Sequence, residues 1–125
     1  MAKDGGFVKP VKYPQYQPLA VIYGIIEHDG KILMLIREGK KIAEFPHAIN
    51  THRAEPMHQI IAAVHAQSGI WTEHIGQLEA EKKAKEVKWE GEKITLPSYK
   101  IRLRPTGETR VHLAKGFSGF VWKKQ

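Results

Sequence analysis

The stretch LAVIYGIIEHDGKILMLIRE, residues 19–38, decides the fold of this chain. Its first part, Leu19–Glu27, is almost continuously apolar and rich in Val and Ile, which is typical of a buried central strand. Asp29 and Gly30 then form a tight-turn signal. Lys31–Glu38 is a second apolar segment of strand length. The stretch therefore predicts a β-hairpin inside the domain.

The clearest helix signal follows at Glu55–Ser68. Pro56 suits the first helical position, where its missing N–H removes no intrahelical hydrogen bond. Gly69 suits the left-handed position that ends a helix. Between them, apolar side chains recur at helical spacing and predict one buried face, formed by Met57, Ile60, Ile61 and Val64.

Strand signals return after the helix. We expect a strand within Thr72–Glu81, and a hairpin that joins Lys85–Trp89 to Ile94–Arg104 around Glu90-Gly91-Glu92. Pro97 predicts an edge position or a bulge, because proline cannot donate to a strand ladder. The order of elements indicates an α/β (α+β) sandwich and excludes a repeated βαβ array. Shorter strand candidates are Ile42–Phe45, Arg110–Leu113 and Phe117–Trp122.

Length and composition limit the class of protein. The chain has 125 residues, the size of one domain. We expect an N-terminal arm over residues 1–18, where three prolines oppose helix formation, and a single domain over residues 19–125. No segment approaches the roughly 20 apolar residues that cross a bilayer. With no cysteine, the chain cannot carry a disulfide framework or a thiol nucleophile. We expect a cytoplasmic protein without a membrane contact.

The hairpin and the helix together resemble the opening of Nudix domains. The stretch FPHAINTHRAEPMHQIIAAVHAQSGI, residues 45–70, is similar to a Nudix box with its chemistry removed. The family pattern is Gly, five residues, Glu, seven residues, Arg-Glu-apolar, one residue, Glu-Glu, one residue, Gly-apolar. It lies without gaps on residues 48–70, where Val64, Gly69 and Ile70 match. The resemblance implies a mixed β-sheet sandwich with one clear helix at about 55–68.

The positions that carry chemistry in the family all differ in this chain. In the family, helix glutamates hold Mg²⁺ or Mn²⁺ against a pyrophosphate. Such hard cations need several oxygen ligands, whereas alanine offers none and glutamine offers one neutral carbonyl. The resemblance therefore implies that no catalytic residues and no metal cofactor remain. The altered positions are Ala48 for the first Gly, Ala54 for the loop Glu, Ala62 for Arg, and Ala63, Ala66 and Gln67 for the three helix glutamates.

Seven histidines raise the question of a different metal site. Glu55, His47 and His58 are the candidate ligands around the box. His58 and His65 lie two turns apart, about 10 Å along a helix, and cannot easily share an ion. We expect no native metal site, and magnesium only if the chain is a divergent hydrolase.

The basic balance favours a polyanionic partner. The net charge is +7, which suits RNA or a nucleotide. Lys100, Arg102 and Arg104 alternate with apolar residues, so a strand would place the three cations on one face. Trp89, expected on the partner strand, would add a stacking surface of the kind that binds single-stranded nucleic acid. The alternative is a half-buried strand with a solvated basic face. Two further phosphate-binding candidates near the expected cleft are Arg37 and Arg53.

Three functional hypotheses follow. The first is a non-catalytic Nudix-like module that binds RNA or a nucleotide through basic residues. The second is a divergent Nudix pyrophosphohydrolase that uses carboxylates outside the box. The third is a protein–protein subunit of a ribonucleoprotein or another complex. For the second hypothesis the available carboxylates are Glu44, Glu55, Glu73, Glu90 and Glu92.

Overall fold

A computed structural model describes residues 17–125 of the chain. Residues 1–16 of the expected arm lie outside the described residues, and Pro18 already belongs to the first strand. The described residues form ten strands and one helix: β1 (Pro18–His28), β2 (Lys31–Arg37), β3 (Ala43–Glu44), β4 (His47–Thr51), α1 (Pro56–Ser68), β5 (Thr72–His74), β6 (Glu79–Ala80), β7 (Lys85–Trp89), β8 (Glu92–Leu96), β9 (Ser98–Pro105) and β10 (Phe117–Lys124).

Strand β1 organises the sheet. Over residues 18–23 it pairs antiparallel with β4, and over residues 21–26 it pairs parallel with β9. Only its last two residues, Glu27 and His28, pair with β2. Beyond them the two strands of the predicted hairpin diverge, and β2 pairs with β10 and β3 instead. The mixed sheet with one helix confirms the expected α+β class.

The core lies between α1 and the sheet. Gly24 allows the helix to approach, because a Cβ atom there would lie 3.1 Å from Val64 Cγ2 and 3.0 Å from Leu103 Cδ1. A larger side chain on β1 would push the helix away. The buried cluster consists of Ile22, Ile26, Leu33, Leu35, Ile60, Val64, Ile70, Ile101 and Leu103.

The ends of α1 follow the sequence prediction. Pro56 occupies the first turn, and Gly69 adopts φ 79° and donates its backbone N–H to the His65 carbonyl oxygen. A Cβ atom at Gly69 would lie 2.9 Å from the Cβ of His112, so both its dihedral angle and its packing require glycine. No helix in the described part of the chain is long and apolar enough to cross a membrane.

Several strand predictions need correction. His47–Thr51, which was not predicted as a strand, forms β4 because its backbone completes the ladder of β1. The segment Ile94–Arg104 is not one strand: Pro97 separates β8 from β9, and its carbonyl oxygen accepts a hydrogen bond from the Val21 N–H at 2.9 Å. The expected single strand within Thr72–Glu81 is two short strands, β5 and β6.

The candidate strand Arg110–Leu113 is also wrong. Within it, the His112 N–H donates to the Ser68 carbonyl oxygen at 2.7 Å, and the Ala114 N–H just beyond donates to the Gln67 carbonyl oxygen at 3.1 Å. The last carbonyl groups of a helix have no intrahelical donors. This segment supplies them and therefore follows the helix end instead of joining a sheet.

Candidate functional site

A cavity of about 550 Å³ lies on the face of the sheet opposite α1. Successive side chains of a strand point to opposite faces. On β1, Ile22 and Ile26 enter the core beneath the helix, while Tyr23 and Ile25 line the cavity. The volume is within the roughly 300–1,000 Å³ typical of small-molecule sites.

The cavity wall combines an apolar floor with a ring of charges. The apolar part comes from β1, β2, β3 and Phe45, which follows β3. The charged part comes mainly from β6, β7, β9 and the loop between β6 and β7. The apolar and aromatic lining residues are Tyr23, Ile25, Ile32, Met34, Ala43 and Phe45, and the charged ones are Glu27, Glu44, Glu79, Glu81, Lys85, Lys100 and Arg102.

Ion pairs neutralise much of this ring. Arg102 donates to both carboxylate oxygens of Glu27, at 2.6 and 3.0 Å. The Arg102 hydrogen bond holds the pKa of Glu27 below its usual value. Burial opposes this shift, and the attraction of the guanidinium adds a further, smaller lowering. Lys100 Nζ lies 4.0 Å from Glu79 Oε1. The cavity therefore has little surplus positive charge for a polyphosphate.

Tyr23 is one of the two aromatic residues that line the cavity. Burial raises the pKa of its phenol, and the nearby carboxylates of Glu81 and Glu44 raise it further. Lys85 Nζ lies 5.7 Å from the ring centroid, within cation–π range. The His47 ring lies 5.4 Å from the Tyr23 ring at a tilt of 43°. Burial and the two carboxylates therefore favour a neutral phenol at the cavity wall.

The box positions on α1 lie away from this cavity. Ala62 and Ala66 are exposed, Ala63 and Gln67 are half-buried, and none of them lines it. Gln67 Nε2 donates to the His47 carbonyl oxygen at 2.7 Å. Its Oε1 is buried and has no hydrogen-bond partner within residues 17–125. The remaining box positions are Ala48 on β4, half-buried, and Ala54 in the exposed loop before α1.

The residues at these positions do not fit a divalent cation. Five of the six offer no ligand atom, and one neutral amide oxygen cannot replace several carboxylates. Within the described range, no group of three or more His, Cys, Asp or Glu side chains is placed to hold a metal ion. Glu55 and His58 are exposed at the start of α1, whereas His47 lies on β4 and contacts Glu44 at 3.5 Å.

The basic candidates on β9 are positioned as predicted but are paired with acids. Lys100, Arg102 and Arg104 alternate with buried residues and share the exposed face. Besides the two pairs described above, Arg104 Nε donates to Glu73 Oε2 at 2.5 Å. Of the three, only Lys100 and Arg102 line the cavity. Each cation already has an anionic neighbour on another strand.

The expectation that Trp89 lies on the partner strand of β9 is wrong. Trp89 belongs to β7, which pairs only with β8 among the described strands, while β9 pairs with β1, β5 and β6. The break at Pro97 causes this separation, because it moves the hairpin out of the large sheet. The indole Nε1 of Trp89 is buried without an acceptor in the described structure.

The other arginine candidates do not line the cavity. Arg37 donates to Glu44 Oε2 at 2.9 Å, and its guanidinium carbon lies 4.7 Å from the centroid of the Phe117 ring. Arg53 is exposed in the loop before α1, where its backbone N–H donates to Thr51 Oγ1 at 3.2 Å.

Sequence reasoning missed most of the cavity residues, among them one aromatic and two charged ones. Tyr23, Glu81 and Lys85 were not candidates, yet all three meet at the cavity. Strand geometry was a usable signal for Tyr23, because successive residues point to opposite faces and Tyr23 therefore lies opposite Ile22. No local pattern marks Glu81 or Lys85, which reach the site only through the pairing of β6 and the position of the hairpin.

Comparison with known proteins gives a fold but no sequence relative. No family model and no curated protein sequence matches the chain. Among solved structures, an ADP-ribose pyrophosphatase from Streptococcus suis has a TM-score of 0.66 and 12% identity over 86% of this chain and 75% of that one. A NUDIX-family hydrolase from Clostridium perfringens has a TM-score of 0.67 and 8% identity over 86% and 82%.

A third similar structure is a UDP-X diphosphatase, with a TM-score of 0.64 and 10% identity over 86% of this chain. The chain spans about half of that protein, 51% of its length. Sequence identities this low carry information about architecture alone. The element order and the mixed sheet agree with these structures, and the predicted resemblance is confirmed at that level. The chain therefore has the fold of the Nudix hydrolases.

Proposed function

We propose that this chain is a non-catalytic Nudix-like module that binds a nucleotide in the cavity on the open face of its sheet. One observation carries the proposal: a cavity of nucleotide size has Tyr23 and Phe45 in its wall. The box positions, which do not line this cavity, offer no carboxylate for catalysis. Two similar structures are named for nucleotide substrates, UDP-X and ADP-ribose.

The chemistry of the wall favours the base over the phosphates. An aromatic ring and an apolar floor suit a flat heterocycle. Glu44 and Glu81 present carboxylate oxygens that accept hydrogen bonds from exocyclic amino groups. Lys85 and Lys100 are the cations without a bidentate carboxylate partner in the cavity. They are placed to contact a single phosphate.

Isothermal titration calorimetry with ADP-ribose and with AMP tests this proposal. Tyr23→Leu should weaken binding by up to about tenfold, the loss expected for one stacking contact. Lys85→Gln should also weaken binding, whereas Lys88→Gln, in the same hairpin but outside the cavity, should not. Absence of binding by the unaltered protein, or equal losses for Lys85→Gln and Lys88→Gln, would refute the assignment of this cavity.

A divergent hydrolase is the second candidate, and one observation favours it. Glu27, Glu44, Glu79 and Glu81 all line the cavity, so carboxylates outside the box face the proposed ligand. Of the candidates named from sequence, only Glu44 is among them. Release of phosphate from ADP-ribose, coupled to a phosphatase and measured with magnesium and with manganese, separates the two functions. Turnover that Glu44→Gln abolishes would establish the hydrolase.

A protein-binding role stays a further prediction. Its candidates are the exposed side chains of Ile42 and Trp71, with 81% and 55% of their surface accessible. Size-exclusion chromatography with light scattering measures self-association directly.

A further inference from the structure

The end of the sheet formed by β1, β2 and β10 carries a row of basic side chains. The register places His28 opposite Lys31 across β1 and β2, and Lys31 opposite Lys124 across β2 and β10. Side chains that lie directly opposite each other share a face of the sheet, about 5 Å apart at Cβ. Like charges in this arrangement destabilise the sheet. The two lysines therefore remain together at an energetic cost.

No carboxylate neutralises these lysines in the part of the chain that the structure describes. Lys31, Lys123 and Lys124 form no ion pair within 4.0 Å there. The nearest acid in sequence, Asp29, lies in the turn with its side chain 83% exposed and contacts His28 at 3.3 Å. Three arginines on β2 and β9 are instead paired with acids, in the pairs Arg37–Glu44, Arg102–Glu27 and Arg104–Glu73.

An aromatic ring borders this row. Trp122 lies two residues before Lys124 on β10 and opposite Leu33, so it shares the face of Lys31 and Lys124. Its ring centroid lies 6.0 Å from that of His28, at an angle of 57°. Trp122 also packs against the core, which fixes the ring in place. The surface thus combines unneutralised charge with an anchored indole.

We propose that this lysine row, formed by His28, Lys31 and Lys124 beside Trp122, binds the phosphate backbone of single-stranded RNA. Lysines neutralise phosphates and release their counterions. The indole provides a stacking surface for a base, as in sites that bind single strands without sequence preference. An acidic peptide would satisfy the lysines but would leave the ring without a partner. The row lies on the opposite face of β2 from the cavity residues Ile32 and Met34, so the inference is independent of the proposed nucleotide site.

The chain contains a matched control for this surface. Lys88 and Lys93 also lie directly opposite each other, on β7 and β8. Their hairpin contains Glu86, Glu90 and Glu92, which balance its three lysines. Two double variants therefore remove the same charge from a cross-strand lysine pair. In Lys31→Gln/Lys124→Gln the pair lacks a nearby carboxylate, whereas in Lys88→Gln/Lys93→Gln it lies in a hairpin that contains three glutamates.

Fluorescence anisotropy with a labelled oligouridylate, measured over a series of salt concentrations, tests the proposal. Lys31→Gln/Lys124→Gln should weaken binding by about tenfold at low salt. The slope of log affinity against log salt should fall by about 1.4, because each phosphate contact on a single strand contributes about 0.7. The Lys88→Gln/Lys93→Gln protein should bind within about twofold of the unaltered protein.

Three results would overturn the proposal. If both double variants lost the same RNA affinity, binding would depend on net charge alone and not on this surface. If the slope of log affinity against log salt were unchanged in Lys31→Gln/Lys124→Gln, these two lysines would not contact phosphates. Displacement of the RNA by polyglutamate of equal charge would assign the surface to an acidic peptide. Thermal unfolding separates these results from misfolding, since loss of a repulsive pair should leave Lys31→Gln/Lys124→Gln at least as stable as the unaltered chain.

Discussion

The side-chain amide of Gln67 donates a hydrogen bond of 2.7 Å to the backbone carbonyl oxygen of His47 and so joins α1 directly to β4. Gln67 occupies the position of a metal-binding glutamate in the box pattern. A carboxylate cannot donate to a carbonyl, so the amide gives this position a structural contact that a glutamate would lack. A second glutamine of the helix, Gln59, bonds to Asn50 and Thr51 on the same strand.

Gln67→Glu should destabilise the protein by about 1–3 kcal/mol, because a half-buried carboxylate would face the His47 carbonyl oxygen without a donor. Urea denaturation measures the change. Ala62→Glu, which adds the same charge at an exposed helix position, is the control and should stay within about 0.5 kcal/mol. Millimolar magnesium should not restore stability; full recovery on adding the ion would contradict the assigned role of Gln67.

Gly24→Ala should destabilise the protein by about 1–3 kcal/mol through overpacking. The added methyl would lie 3.0 Å from Leu103 Cδ1 and 3.1 Å from Val64 Cγ2, two side chains with no accessible surface. Thermal unfolding checks the effect. Gly76→Ala, where a Cβ atom has nothing within 4 Å, is the matched control. Equal stability of the two variants would mean that the helix tolerates a larger separation from β1.

The Glu27–Arg102 pair should make stability depend on pH in the acid range. The pKa of Glu27 is lowered in the folded protein, chiefly by its hydrogen bond to Arg102. The ion pair therefore stabilises the folded protein at pH values above the pKa that Glu27 has in the unfolded chain, near 4.5. This stabilisation is lost as the pH falls through the lower pKa that Glu27 has in the folded protein. Urea midpoints of Glu27→Gln and the unaltered protein should therefore differ at neutral pH and converge in acid. If the two urea midpoints differed by the same amount at every pH, the stability of the protein would not depend on ionisation of Glu27.

Tyr23 should ionise late in an alkaline titration. Burial and the carboxylates of Glu81 and Glu44 raise the pKa of its phenol above 10.0. The stability that this shift contributes is present below the unfolded pKa and is lost as the pH rises through the folded one. When phenolate absorbance is followed with rising pH, the titration step at the highest pH should be absent in Tyr23→Phe. The same step should move to lower pH in Glu81→Gln, because one of the carboxylates that raise the pKa is removed. Persistence of the step in Tyr23→Phe would assign it to another tyrosine.

The opening hairpin, the helix and its glycine stop could be predicted because each depends on local pattern. Apolar continuity, a two-residue turn and a 3.6-residue period are properties of neighbours in sequence. The same patterns could not indicate β4, since His47–Thr51 becomes a strand only by pairing with the first half of β1. They also could not show that β1 and β2 separate after two paired residues.

By itself, the sequence determined the elements around the box and the residue types that occupy it: five alanines and a glutamine where the pattern has a glycine, an arginine and four glutamates. Only the tertiary structure decided which cations remain without a carboxylate. Arg102 meets Glu27 across 75 positions of sequence because β9 lies parallel to β1, whereas Lys31 and Lys124 meet each other because β10 closes the opposite edge. Strand register sets these distances, and register depends on long-range pairing that no local pattern encodes.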